Sequence, residues 1–236
     1  MKLLAFDTST ELISIAVTRE VDGVARVWQH TGAGGAQASS ALIPAIETLM
    51  AEARLNFSGL DAIAFGCGPG SFTGLRTACA VAQGLGFGAA VPLLAVDTLL
   101  AVAEEARYQH APQSASLSVL ALLDARMDEL YAAPYDYAHG RWHQQSEFSL
   151  CKPEQVVAAP VEALAGNVFA QHGARLPLPA ALPRWDALPT AAALLRLAPA
   201  LLAEGNALSA EHALPRYIRD KVAQTTEERA AAKALR

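Results

Sequence analysis

Residues 61–76 read DAIAFGCGPGSFTGLR: a short apolar run, then Gly66, Gly68, Pro69 and Gly70, then residues able to open a helix. The apolar run is too short for a helix and reads as a buried strand that feeds directly into the glycines. Thr73 is placed to cap the helix that follows. Backbone N–H groups converge at such a junction, so the loop has two uses open to it, a cradle for an anion or a tight turn. The phosphate-binding P-loop follows its glycines with Lys-Ser/Thr, whereas Gly74 here precedes Leu75 and Arg76. The dinucleotide fingerprint fails as well, since Ser71 stands where its third glycine belongs.

The same periodicity reasoning orders the rest of the chain. Strands are expected over 2–7, 12–18 and 24–30, joined at Thr8-Ser9-Thr10 and Asp22-Gly23. A helix follows over 40–54, with Leu42, Ile46, Leu49 and Ala53 on one face, Ile43 and Met50 widening it, and Pro44 near its start. Then come the strand at 61–66, a helix over 74–89, a strand over 91–96 and a helix over 97–107. A polar break from Gln109 to Ser116 divides the chain. Beyond it strands restart at 117–123, 129–135 and 142–149, followed by short helices, a Pro-rich stretch and an apolar helix over 190–204. This organisation predicts two halves, 1–108 and 116–220, and a polar tail over 221–236.

Of the 236 residues, 53% are hydrophobic, ample for a core. Cys67, Cys79 and Cys151 are scattered and never form a C-x-x-C pair, which argues against a disulfide framework or a zinc site and for a reducing cytoplasm. Asp7 interrupts the first apolar run, so no secretory signal is expected. Thr77–Val96 is uncharged, but Gln83, Gly84, Gly86, Gly88 and Pro92 divide it, and no membrane span is expected. A net charge of −5 disfavours a broad nucleic-acid face.

The order βββαβαβα with a partial repeat resembles the actin-like ATPase fold. Four stretches, LLAFDTST (3–10), GCGPGSFTGLR (66–76), LLDARMDELYAA (122–133) and ALPRYIRDKVAQ (213–224), resemble the TsaB family, also called YeaZ. That resemblance implies an actin-like (ASKHA) α/β fold of two βββαβα-type halves, the second truncated and the nucleotide site degenerate. It implies a bacterial cytoplasmic protein that places threonylcarbamoyladenosine in tRNA beside the anticodon as a non-catalytic partner of TsaD, a metal-binding transferase, with the ATPase TsaE. It further implies a homodimer when TsaD is absent, tRNA reached only through the complex, and no cofactor of its own.

The residues themselves frame the alternatives. Asp7 with Ser9, Thr10, Gly68, Gly70 and Ser71 form a candidate vestigial nucleotide site, and the rival function is an active nucleotide-dependent ATPase or kinase using them. Thr8-Ser9-Thr10 offers no glycine for close approach to a phosphate, and Asp7 has a second use in bracing its hairpin through neighbouring N–H groups. Asp124, the corresponding acid of the second half, is followed by Arg126. His139 and His143 have the four-residue spacing of a helical metal pair but lie at an expected hairpin turn, so no metal site is assigned. Ser71 lacks a nucleophile elbow. Ala80, Gly84 and Gly88 form a small-residue stripe that packs either on this chain's own core or against another protein. With Leu42, Ile46, Leu49 and Met50 it makes the expected partner interface.

Overall fold

The computed structural model describes residues 1–157 and 160–219; the expected tail at 221–236 lies outside the described residues. The first half contains β1 (Leu3–Asp7), β2 (Leu12–Val21), β3 (Val24–Ala33), α1 (Ala38–Glu52), β4 (Ala62–Gly68), α2 (Phe72–Ala89), β5 (Leu93–Asp97) and α3 (Thr98–His110). Its sheet has the order β3-β2-β1-β4-β5, with β1 antiparallel to β2 and parallel to β4. Every residue of β1 and β4 is buried, as the unbroken apolar runs require of central strands covered on both faces.

The second half contains β6 (Ser116–Asp124), β7 (Leu130–Ala138), β8 (Arg141–Gln144), β9 (Ser149–Cys151), β10 (Ala163–Gly166), α4 (Phe169–His172), β11 (Arg184–Asp186) and α5 (Ala191–Ala203). The order is β11-β10-β6-β7-β8, and β9 also pairs with β7. Here β6 is antiparallel to β7 and parallel to β10, repeating the relations of β1 to β2 and β4. The single strand expected over 142–149 is two, because β8 pairs with Tyr135–Ala138 and β9 with Leu130–Ala132 at the other end of β7.

α1 and α2 cover one face of the first sheet, burying Phe6, Ile15, Ile63 and Phe65 beneath them. The other face, with Leu3, Ala5, Ala64 and Leu94, is covered by Leu194, Leu197 and Ala198 of α5. α5 thus follows the second sheet in the chain but packs on the first, and the Ala191 N–H donates to Ser14 Oγ at 2.8 Å. Between the sheets, α3 buries Glu104 and Glu105. Glu104 accepts from Arg196 at 2.8 Å and from the Trp142 indole at 3.0 Å, and Glu105 from the same guanidinium at 2.5 Å and from Thr190 Oγ1 at 2.7 Å, so both charges are compensated.

After α5 the chain returns across the molecule. Leu208 exchanges two 2.8 Å backbone hydrogen bonds with Leu93 of β5, and the Ala213 carbonyl accepts from Gln83 of α2 at 2.9 Å. Arg219 then reaches Glu129 of the second half at 2.6 Å. Among the described residues no helix is long and apolar enough to cross a membrane.

Candidate functional site

The carboxyl ends of β1, β4 and β6 face a cleft of about 370 Å3 between the halves. Its walls come from Ser9–Glu11, Pro69–Phe72, Asp124–Met127, Asn167 and the crossing segment Arg216–Arg219. Parallel strands ending at one crevice are where open α/β sheets present ligand sites.

Four of the six residues expected at a nucleotide site, Ser9, Thr10, Gly70 and Ser71, line this cleft; Asp7 and Gly68 do not. Asp7 is buried under Gly66, where a Cβ would fall on its Oδ2. Its Oδ1 accepts from the Ser9 N–H at 2.9 Å and Ser9 Oγ at 2.7 Å, while Oδ2 has no hydrogen-bond partner. Burial pushes the carboxyl up to about 6, against the lowering effect of the Ser9 hydrogen bonds. Of the two uses open to Asp7, the geometry is that of the second: the acid is enclosed and braces the β1–β2 turn through its Ser9 bonds. Gly68, at φ +126, lies beneath the Arg216 carbonyl, 2.5 Å from where a Cβ would sit. The adjacent Arg216 N–H donates to Cys67 O at 2.7 Å. The crossing segment thus occupies the side of the loop from which an anion would approach Gly68.

Ser71 and the β1–β2 turn are bonded to each other and to the start of α2. The Ser71 N–H donates to Ser9 O at 2.7 Å, and Ser71, rather than Thr73, caps α2 through Oγ and the Gly74 N–H. Thr8 Oγ1 donates to Gly74 O at 2.7 Å, which ties α2 to the β1–β2 turn. Across the cleft, Asp124 Oδ1 accepts from the Arg126 N–H at 2.9 Å. The Arg126 guanidinium stands 3.5 Å from Asp124 and 3.9 Å from Glu11 of the first half. Tyr135 donates to Asp97 at 2.9 Å, joining β7 to the end of β5, and burial pushes the Asp97 carboxyl up to about 6.

His139 sits at a turn with φ 53 and His143 on β8. Among the described residues no group of three or more His, Cys, Asp or Glu side chains is arranged to hold a metal ion. Ser209 Oγ lies 2.8 Å from His212 Nδ1, with Glu211 3.8 Å from the same nitrogen. A catalytic relay needs the two partners on opposite ring nitrogens, so this exposed trio only closes a helical turn.

The expected partner face divides in two. Leu42, Ile46, Leu49 and Met50 are buried in the chain's own core beneath α1, so their side chains are not a surface; the broad apolar face of α1 serves the first sheet. Ala80, Gly84 and Gly88 point outward from α2. A Cβ at Gly84 or Gly88 would meet nothing within 4 Å, whereas one at Gly86 would press on Leu93. Phe87, 85% exposed, lies on this open face, and Ile43 of the neighbouring α1 is exposed too. Sequence reasoning did not identify Asn167, Arg216 and Tyr217 as cleft residues. For Arg216 and Tyr217 the signal was the ALPRYIRD string, which carries no local chemistry, and Asn167 had none.

The profile of the family described as TsaD, tRNA N6-adenosine threonylcarbamoyltransferase, matches residues 30–230. A protein of Escherichia coli named tRNA threonylcarbamoyladenosine biosynthesis protein TsaB is 33% identical over 94% of this chain and 96% of its own length. A Haemophilus influenzae protein of the same name is 34% identical over 66% of each chain. The solved structure of YeaZ from Pseudomonas aeruginosa superposes with a TM-score of 0.80 at 37% identity, covering 92% of this chain and 99% of that one. With its two repeated sheets, and with the Escherichia coli and Pseudomonas aeruginosa relatives matched over nearly their whole length, the chain belongs to the TsaB (YeaZ) family, within the wider TsaD group.

Proposed function

We propose that this chain is a non-catalytic subunit of the cytoplasmic machinery that forms threonylcarbamoyladenosine on tRNA. It binds and stabilises a TsaD-like transferase, acts alongside a TsaE-like ATPase, pairs with itself when alone, and meets tRNA only through the complex. The observation that carries this is the open face of α2: Ala80, Gly84 and Gly88 lie outward beside the exposed Phe87. Interior glycines each cost a helix about 1 kcal/mol against alanine. Gly84 and Gly88 recover nothing from this chain's own packing, whereas close approach of a second helix would use the room they leave. Support for a degenerate nucleotide site comes from the enclosed Asp7, the loop without lysine and the Arg216 backbone over Gly68.

Gly84→Leu tests the interface. With open space at the Cβ, the monomer is expected to stay folded and to melt at or slightly above the wild-type temperature. Self-association and binding to the TsaD-like partner should each weaken by more than about tenfold, equivalent to about 1.4 kcal/mol. Sedimentation and thermal melting on one sample separate the two effects. A folded variant that still binds the transferase normally would sink the proposal.

A further inference from the structure

His172 closes α4 and is 1% exposed, and neither ring nitrogen has a hydrogen-bond partner. Two carboxylates flank it on opposite sides. Asp124 Oδ1, at the end of β6, lies 4.0 Å from Nε2, and Asp128 Oδ1, in the following loop, lies 3.9 Å from Nδ1. A neutral imidazole has one N–H and one lone pair, so it can donate to only one of these acceptors and turns its lone pair on the other. The imidazolium alone offers a donor to both. Each gap exceeds a charge-assisted hydrogen bond by about 1 Å, a distance that a loop movement can close. One metal ion cannot bridge this trio, because the two acids address different ring nitrogens.

The loop between the acids carries the cleft wall. Arg126, Met127 and Asp128 all have positive φ, at 60, 57 and 61, a conformation non-glycine residues hold only when surrounding contacts impose it. Arg126 extends toward Glu11 of the first half, and its carbonyl accepts from Arg219 of the crossing segment at 3.4 Å. Other charged groups lie nearby: Arg175, after α4, grips Asp128 and also pairs with Glu154, Lys152 adds positive charge near Asp128, the Arg126 N–H and guanidinium both face Asp124, and Arg184 of β11 donates to the Gly173 carbonyl beside His172. Arg175 steadies Asp128 from outside, and His172 is the only one of these groups that addresses both acids from within.

We propose that His172 is a proton-operated pin: protonated, it draws Asp124 and Asp128 onto its two nitrogens and clamps loop 124–128 against the cleft; neutral, it releases one end of the loop. The wall of the cleft is thereby sensitive to pH through a residue outside the cleft itself.

The test is amide exchange of residues 125–129 in the full chain from about pH 5 to 8, corrected for intrinsic rates, with the His172 ring resonance followed by NMR. Protection should rise about tenfold toward the acidic end and track the ring titration. In His172→Gln the pH dependence of these amides should vanish. Asp128→Asn, at an exposed position, should fold regardless and lower the midpoint of the His172 titration. Asp7 and Asp97 also titrate in this range but are present in every variant, so they cancel in the comparison. Loop protection that ignores the His172 titration, or persists with the same pH slope in His172→Gln, would overturn the proposal, as would an unmoved midpoint in Asp128→Asn.

Discussion

Gly74→Ala is expected to destabilise the chain by about 3 kcal/mol or more, a large share of the roughly 5–15 kcal/mol that holds a domain together. A Cβ at this position falls on the carbonyl oxygen of Thr8, which is backbone and cannot swing aside. α2 would have to retreat from the β1–β2 turn, losing the Thr8 to Gly74 hydrogen bond and loosening the Ser71 to Ser9 contact next to it. The same substitution one face away has the opposite sign. Gly84→Ala should gain up to about 1 kcal/mol, because its methyl enters open space and removes the helix penalty. Urea denaturation of both variants makes the comparison within a single helix. A Gly74→Ala protein within about 1 kcal/mol of wild type would mean that the turn and α2 are not packed as described.

Asp7→Asn should remove a pH dependence that the wild-type chain carries. Burial raises the Asp7 carboxyl from 3.8 to about 6, so the folded state holds this proton more tightly than the unfolded one. The resulting stabilisation is complete below about pH 4 and is lost as pH rises through about 6, up to roughly 3 kcal/mol in all. Asparagine keeps an oxygen for the Ser9 donors and sets an uncharged group where Oδ2 has no partner. At pH 8 the variant should melt above wild type, and by pH 4 the two should converge. Asp97 shifts in the same direction but is common to both proteins, so it drops out of the difference. An advantage that stayed constant from pH 4 to 8 would show that Asp7 does not titrate as an enclosed acid.

The elements most legible in the sequence were those whose local chemistry left one solution. β1 and β4 are unbroken apolar runs stopped by polar or glycine turns, and both proved to be fully buried central strands. α1 was legible as a helix but not in its orientation. The periodicity of Leu42, Ile46, Leu49 and Met50 reports that one face is buried, and it is silent on whether sheet or partner covers it. The split of the 142–149 strand was hidden because the break depends on which residues of β7 remain to be paired, a non-local matter. The cleft was half legible. The glycine loop and Asp124 announce themselves at strand ends, but the segment that walls the cleft beside them, Arg216–Arg219, is distant in sequence. His172 gave no signal, since FAQHG is unremarkable until the fold sets Asp124 and Asp128 on either side of its ring.

The placement of α5 has a consequence for how the chain is made. During synthesis β1 to β5 emerge first, yet the face of their sheet bearing Leu3, Ala5, Ala64 and Leu94 has only Leu100 and Ala101 of α3 against it until Leu194, Leu197 and Ala198 follow. At roughly 5–20 residues per second, the interval between β5 and α5 lasts on the order of 5–20 s, far longer than hydrophobic collapse needs. Throughout that time a nearly complete sheet carries an exposed apolar back. The nascent chain therefore passes through a stage in which ribosome-associated chaperones have a defined surface to hold, and the emergence of α5 ends it.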